Sequence, residues 1–164
     1  LIISDSRSGA CNEHDLYSLL FGGMMKMKCY PESIRDLYLY GLPVDFAVKS
    51  IVNMRLSEEN GRIYHVLNTT KKIIFEDVLK SMSMCGIEMN SVTNDEWKMK
   101  LKTFSEQNST LQSIEIFFSN LRFKHENTTS ADQYWSAVGT LDCPLMNSEY
   151  ICKWLNFLSQ ISIN

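Results

Sequence analysis

Hydrophobic residues recur every three or four positions along most of the chain, which is the spacing of an amphipathic helix. Five such stripes predict helices with the following inner faces: Leu16, Leu19, Leu20 and Met24; Ala47, Val48, Ile51 and Val52; Phe75, Val78, Leu79 and Met82; Trp97, Leu101 and Phe104; and Tyr150, Ile151, Trp154, Leu155 and Leu158. Further helices are predicted at Leu111–Phe118 and around Tyr134 and Trp135. The pattern is therefore typical of a mainly helical chain.

Capping residues mark the ends of several of these helices. Asn12, Asp45 and Asn147 are placed to cap the first, second and last helix. Gly22–Gly23 is expected to weaken the last turn of the first helix, and Gly86 stands where a glycine commonly follows a helix. A catalytic carboxylate is the alternative interpretation of Asp45.

The start of the fourth helix carries a more specific signal. Thr93 and Glu96 have the spacing of a capping box, in which the Thr hydroxyl accepts from the Glu amide and the carboxylate reaches back. Val92 and Trp97 flank them at the positions of a hydrophobic staple. These four residues predict a locally encoded helix start and a structural role.

One segment indicates a strand. Arg62–Leu67 is rich in β-branched and aromatic residues without clean alternation, which is typical of a strand buried on both faces of a parallel sheet. Leu1–Ile3 is its only obvious partner, and Ile87–Val92 is a short extended piece. The prediction is a mainly α fold with a minor β part of one or two strands. Residues 1–164 form one unit, and we expect its exposed strand edge to promote self-association.

Composition excludes several classes. The chain has 164 residues, of which 45% are hydrophobic and 21% charged, as expected for a globular domain rather than a disordered one. The net charge of −3 gives no basic surface for nucleic acid, and the scattered lysines predict a solvated face. No apolar run approaches the roughly 20 residues of a membrane span, and no signal peptide is visible.

The cysteines, histidines and sequons predict no metal or thiol chemistry. Five cysteines without a CxxC pair favour reduced thiols and a cytoplasmic location, with Cys143 and Cys152 as buried, inert thiols. The three histidines lack metal-ligand spacing, and His65 is best explained as a core residue. Sequons at Asn68, Asn108 and Asn127 leave a secreted glycoprotein as an alternative.

Motifs of catalysis and nucleotide binding are missing. The sequence has no glycine finger, no Walker motif, no GxSxG, no HExxH and no Tyr-x-x-x-Lys. It therefore predicts no catalytic residue and no metal ligand in this chain, and no site of its own for a pyrophosphate.

Several segments, taken in order, resemble the terminal thioester reductase domains of polyketide, nonribosomal-peptide and related fatty-acid synthases, which are extended short-chain dehydrogenase/reductases. The similar segments are Ile2–Asn12, Leu42–Ala47 with Lys49–Val52, Gly61–Asn68, Gly86 with Val92 and Glu96–Trp97, and, more weakly, Asn127–Thr128 with Gly139 and Cys143–Pro144. The first resembles the family pattern Ile-x-Gly-Asp-Ser-x-Thr-Gly-x-x-Asn, with Ser4 in place of Gly and Ser8 in place of Thr.

The resemblance implies a place within such a domain. The chain would be the helical, substrate-binding C-terminal portion of a Rossmann-type reductase, and the glycine loop and the catalytic Thr, Tyr and Lys would precede it. By correspondence, Ile2 would approach the nicotinamide, with Ser4 and Asp5 at the edge of that loop. The methionine-, phenylalanine- and leucine-rich remainder would shape an acyl and pantetheine channel.

The resemblance also implies partners and a reaction. The complete domain would use NADPH to reduce an acyl thioester on the phosphopantetheine arm of an acyl carrier protein, and would release an aldehyde or alcohol. This chain alone would bind no NADPH and would be inactive without the upstream nucleotide-binding half. A stand-alone helical interaction module without catalysis is the alternative.

Overall fold

The computed structural model describes residues 1–39, 41–55, 66, 73–107, 112 and 143–161. Five α-helices lie in these ranges: α1 (Leu16–Met27), α2 (Val44–Arg55), α3 (Phe75–Met84), α4 (Asn94–Gln107) and α5 (Ser148–Gln160). Strands of two or three residues lie between them: β1 (Ile2–Ile3), β2 (Cys29–Pro31), β3 (Tyr38–Leu39), β4 (Leu42–Pro43), β5 (Ile73–Ile74) and β6 (Asn90–Val92). The predicted mainly helical fold with a minor β part is confirmed, although the strands outnumber the one or two expected.

The strands form three two-stranded ladders. β1 pairs with β4 and β2 with β6, both in parallel, while β3 and β5 are antiparallel. The hydrophobic pattern does not predict the partner of β1 in this structure, Leu42–Pro43, because two residues are too few to show a period. The predicted strand Arg62–Leu67 lies outside the described residues except for Val66, which has no regular structure.

α1 lies at the centre of the main core. Phe21 and Met24 are completely buried, and the ring of Phe21 meets Trp154 of α5 edge to face with centroids 5.0 Å apart. α1 continues through Gly22–Gly23 to Met27, so the pair lies inside the helix and does not end it. Both glycines are buried, and the surrounding packing offsets the roughly 1 kcal/mol that a glycine costs a helix.

The predicted caps are confirmed for α5 and α3 but not for α1. Asn147 Oδ1 accepts from the Tyr150 amide at 3.0 Å, and Gly86 follows α3 with a φ of +78°. α1 begins after Asp15, whose Oδ1 accepts from the Ser18 amide at 2.9 Å, so Asn12 is not its cap. A side-chain acceptor directly before the helix is required for capping, and Asn12 lies three residues too early.

The start of α4 is half of the predicted capping box. Thr93 Oγ1 accepts from the Glu96 amide at 3.2 Å, as predicted. The Glu96 carboxylate instead pairs with Lys100 one turn later at 3.3 Å. Trp97 is buried, and Val92 packs against the same core. The predicted cap by Thr93 and the burial of Trp97 are confirmed, and the reciprocal bond of Glu96 is not.

Of the face predicted to point inward on α2, only Ala47 is buried. Val48, Ile51 and Val52 remain 53%, 55% and 52% exposed, whereas Phe46 and Ala47 are buried in a small second core with Leu42 and Cys143. The apolar stripe could not distinguish the two faces. Burying Phe46, the largest apolar side chain of this helix, removes the most apolar surface from water.

Two cysteines contradict the expectation of five reduced thiols. Cys85, which ends α3, and Cys152 of α5 form a disulfide with Cα atoms 5.8 Å apart. Cys11, Cys29 and Cys143 are free. The two cysteines are 67 positions apart in the sequence, and the packing of α3 on α5 brings them together. Cysteine spacing alone therefore could not predict this pair.

Several sequence predictions fall on residues that the structure does not describe: the helix at Leu111–Phe118 except for Gln112, which is helical, the helix around Tyr134 and Trp135, the sequons at Asn68, Asn108 and Asn127, and His65 and His125. In the ranges that are described, no helix has the length and apolarity to cross a membrane. In the same ranges, no three acidic, histidine or cysteine side chains cluster in a way that could hold a metal ion.

Candidate functional site

The segment Ser4–Ala10 directly follows β1, and we call it the β1 loop. Its centre is the Asp5 carboxylate, which accepts from the Arg7 amide at 3.0 Å, the Ser8 amide at 2.9 Å and the Ser8 hydroxyl at 3.0 Å. The loop is closed by the Asp5 amide, which donates to the Ala10 carbonyl at 2.8 Å. Donation by Ser8 and Arg7 holds the pKa of Asp5 below its ordinary value against the opposing effect of burial. Asp5 is therefore an ionised organiser of its own loop.

α5 anchors the beginning of this loop. The Tyr150 hydroxyl donates to the Ser4 carbonyl at 2.8 Å and accepts from the Ser4 hydroxyl at 3.0 Å. Ser4 is fully buried and Tyr150 nearly so. Desolvation raises the pKa of Tyr150 despite its hydrogen bond with Ser4, so this phenol stays protonated and continues to donate.

α2 anchors the middle of the loop. Asp45 Oδ1 accepts from the Ser6 amide at 3.0 Å, and Asp45 Oδ2 accepts from the Ser6 hydroxyl at 2.7 Å. α2 begins at Val44, so Asp45 lies inside its first turn, and the prediction that Asp45 is the N-cap of this helix is wrong. Both carboxylate oxygens are engaged by Ser6, which also argues against a free catalytic carboxylate.

The end of the loop packs directly on α5. Gly9 has a φ of +77°, and a Cβ atom there would overlap the backbone carbonyl of Lys153. Only glycine combines this left-handed conformation with so close an approach. The loop is thus held at Ser4, Ser6 and Gly9 by two helices that are distant in sequence.

The three residues assigned to the cofactor side have different surroundings. Ile2 is 52% exposed, whereas the Ser4 side chain is buried against Tyr150 and Asp5 is turned into its own loop. An exposed apolar side chain at a strand end fits the face of an aromatic ring such as nicotinamide. Ser4 and Asp5 present no free donor, so their side chains fit a role in shaping the loop rather than in touching a cofactor.

Sequence reasoning gives no anchoring role to Tyr150 or Asp45. In the sequence, Tyr150 belongs only to an apolar stripe, and Asp45 has only the interpretations of a cap or a catalytic carboxylate. One sequence signal for the contact between Asp45 and Ser6 was available. The serine-rich turn lies in Ile2–Asn12 and the carboxylate in Leu42–Ala47, and both segments resemble the same family.

Cys143 lies in the small core beside Asp45 and Tyr150. Burial, followed by the negative charge of Asp45, raises the pKa of its thiol to about 11. The predicted inert thiol is therefore consistent with its surroundings, since the thiolate is the nucleophilic form.

A cavity of about 840 Å³, separate from the β1 loop, lies between α1, α3, β2 and the segment before β6. Its walls combine the cations of Lys28, Arg35 and Lys80 with the carboxylates of Glu76 and Glu88. Arg35 also donates to the Tyr30 hydroxyl at 2.6 Å. Its mixed charge differs from the apolar acyl channel that the family resemblance implies. Several methionines fill the main core, among them Met24, Met27, Met82 and Met146.

The chain is similar to parts of much larger biosynthetic proteins. It is 33% identical over 164 residues to a component of the linear gramicidin synthase of Brevibacillus parabrevis, an alignment that covers 95% of this chain and 3% of that protein. It is 25% identical over 175 residues to the non-canonical nonribosomal peptide synthetase FrzA of Cladobotryum sp, covering 96% of this chain and 17% of that protein. No family model matches the chain. The chain thus spans only a small part of the curated relatives it matches.

Solved structures of reductase domains share its fold. The terminal R domain of the myxalamid PKS-NRPS pathway superposes with a TM-score of 0.82 at 22% identity, covering 97% of this chain and 42% of that one. A thiolation-reductase di-domain from an archaeal nonribosomal peptide synthetase gives a TM-score of 0.70 at 18% identity, covering 97% of this chain and 34% of that one. The resemblance seen in the sequence is confirmed: the chain has the fold of the C-terminal part of the terminal reductase domains of nonribosomal peptide and mixed polyketide synthetases.

Proposed function

We propose that the chain is the substrate-binding part of an NADPH-dependent thioester reductase, which takes an acyl chain from a carrier protein and releases it as an aldehyde or alcohol. The observation that carries this proposal is the fold shared with terminal R domains over nearly the whole chain, together with the 33% identity to part of a gramicidin synthase. The missing glycine finger and Tyr-x-x-x-Lys are consistent with an upstream half that supplies cofactor binding and catalysis.

The role of this chain's own residues follows from the β1 loop. NADPH, when bound, supplies a hydride. Ile2 would present an apolar surface to the nicotinamide, while Ser4 and Asp5 would fix the backbone of the loop beside it. Tyr150 is not a proton donor for the substrate in this proposal, because its hydroxyl already donates to the Ser4 carbonyl.

A carrier protein with a phosphopantetheine arm is the partner that this reaction requires. The archaeal thiolation-reductase di-domain joins a thiolation domain to a reductase, which supports such a partner for the present chain. The exposed apolar side chains of α2 and the residue before β1, namely Val48, Ile51, Val52 and Leu1, would be covered by the upstream half of the domain. We further propose a cytoplasmic location, where NADPH is available; the Cys85–Cys152 disulfide is then an exception to the reduced thiols typical of that compartment.

The same exposed face of α2 is the observation that favours the alternative, a helical interaction module without catalysis. The two functions differ in their need for a reduced cofactor. An interaction module would neither oxidise NADPH nor depend on a loaded carrier protein.

The test uses the complete polypeptide in which this chain occurs, with an acyl-loaded carrier protein and NADPH. We expect NADPH oxidation that depends on the thioester, with an aldehyde or alcohol as product; an unloaded carrier protein is the control. The 164-residue chain alone is tested after circular dichroism has shown that it is folded. Calorimetry should then detect no NADPH binding with a Kd below about 10 µM, because binding of that strength needs a free energy of roughly −7 kcal/mol from organised contacts. Saturable binding at that level, or a complete polypeptide without thioester reduction, contradicts the proposal.

A further inference from the structure

We propose that Tyr150 and Asp45 are positioning residues that set the β1 loop, and through it Ile2, against the cofactor. The inference deepens the proposed function and rests on it. Neither side chain is placed to touch a substrate, because Tyr150 is buried against Ser4 and both Asp45 oxygens accept from Ser6. Their effect must therefore pass through the backbone of the loop.

The strand that carries Ile2 is short. β1 has only two residues, and its parallel ladder with β4 consists of the pairs Ile2 with Leu42 and Ile3 with Pro43. An isolated two-stranded ladder is marginal in water. The Leu42 amide donates to the Leu1 carbonyl at 2.9 Å, and Ile3 is buried in the main core. Ser4, only two residues after Ile2, adds a further restraint on the position of Ile2.

Two independent side chains provide that control. Tyr150 holds Ser4 through a reciprocal pair of hydrogen bonds at 2.8 and 3.0 Å, and Asp45 holds Ser6 through bonds at 3.0 and 2.7 Å. The first pair is buried, so loss of the Tyr150 hydroxyl would leave the Ser4 hydroxyl without this acceptor. Such a loss is costly in a buried site, and the loop would shift to find another partner. The carbonyl of Ser4 also accepts from the Val44 amide at 3.3 Å, which couples the two anchors through α2.

The residue types match this role. A tyrosine at 150 can donate and accept at one atom, whereas phenylalanine fills the same volume without either bond. A carboxylate at 45 accepts from an amide and a hydroxyl together, while asparagine replaces one acceptor oxygen by an amide donor. Both substitutions therefore change the anchoring of the loop with little change in packing.

The experiment compares Tyr150→Phe and Asp45→Asn with Ser148→Ala in the complete polypeptide. Ser148→Ala is the matched control, because it removes a hydrogen bond of α5, that of Ser148 with Ser81 at 3.1 Å, outside the loop. The readouts are the melting temperature, the NADPH Kd, the KM for NADPH and for the acyl thioester, kcat, and hydrogen exchange of the Ser6, Ser8 and Gly9 amides. Hydrogen exchange reports on the loop without turnover.

We expect Tyr150→Phe and Asp45→Asn to raise the NADPH Kd and KM by up to about tenfold, the effect of one lost hydrogen bond, with an unchanged KM for the thioester. Loop amides should exchange faster in both variants and at the wild-type rate in Ser148→Ala. An unchanged NADPH Kd in either folded variant, or an equal rise in Ser148→Ala, overturns the positioning role and leaves the proposed function intact. A wild-type polypeptide that neither binds NADPH nor reduces the thioester overturns both; if Tyr150→Phe does not fold, Asp45→Asn decides.

Discussion

Gly9 lies so close to the backbone carbonyl of Lys153 that no β-carbon fits between them. This contact joins the loop after the first strand to the last helix, and it requires a left-handed φ of +77°. The chain contains a second glycine of nearly the same conformation, Gly86, with a φ of +78°, where a β-carbon would meet open space. Substituting each glycine by alanine therefore distinguishes two costs in stability, that of the left-handed backbone conformation and that of the close contact with Lys153.

We expect Gly9→Ala to lower the free energy of unfolding by more than Gly86→Ala. The alanine at 86 should cost about 1–2 kcal/mol, the effect of the left-handed conformation alone. The alanine at 9 should cost at least about 2 kcal/mol more, because the backbone of Lys153 or of the loop must move. Urea unfolding of both variants measures the difference, and equal losses would contradict the close approach.

The disulfide between Cys85 and Cys152 should stabilise the fold. Closing a loop of 67 residues removes chain entropy equivalent to about 4 kcal/mol in the simplest model, an upper estimate. We expect a reducing agent to lower the melting temperature of the wild type but not that of a Cys85→Ala, Cys152→Ala double variant. A Cys29→Ala variant, which removes a free thiol, should retain the sensitivity. Insensitivity of the wild type would show that the two sulfurs are not bonded in solution.

At the start of α4, a capping residue and a core residue can be compared by substitution. Thr93→Ala removes the acceptor of the Glu96 amide and should cost about 1 kcal/mol, whereas Trp97→Ala empties a buried site and should cost roughly 3–5 kcal/mol. In the complete polypeptide, the specific activity of the folded fraction should be nearly unchanged by Thr93→Ala. A hundredfold loss of turnover at an unchanged melting temperature would instead place this turn in the substrate site.

We expect the contribution of Asp5 to the stability of the fold to be lost at low pH. Its pKa is lowered in the folded protein, so its contribution to stability is present above the unfolded pKa of about 3.8 and is lost as pH falls below that value toward the folded pKa. Asp5→Asn should be less stable than the wild type at neutral pH and should lose less stability on acidification below pH ~4. Asp36→Asn, at an exposed position, is the control. Parallel stability curves for wild type and Asp5→Asn would contradict the assignment.

Local sequence was sufficient to predict those interactions that join residues close together in the chain. The cap of Asn147 spans three residues, as does that of Thr93, and the buried stripe of α5 follows helical spacing. The predictions for Asn12, Asp45 and the buried face of α2 were wrong for the opposite reason. In each case more than one nearby residue could satisfy the local rule, and only the surrounding fold selected among them.

The sequence by itself determined that this chain is mainly helical, where most of its described helices lie and which reductase domains it resembles, because helix periodicity, caps and family motifs are short-range patterns. Only the tertiary structure decided how the β1 loop is held. Tyr150 reaches Ser4 across 146 residues and Asp45 reaches Ser6 across 39. The disulfide likewise joins residues 67 apart. Such contacts depend on the packing of α3 and α5 in the main core and of α2 in the small second core, and no local spacing encodes the distance between two helices.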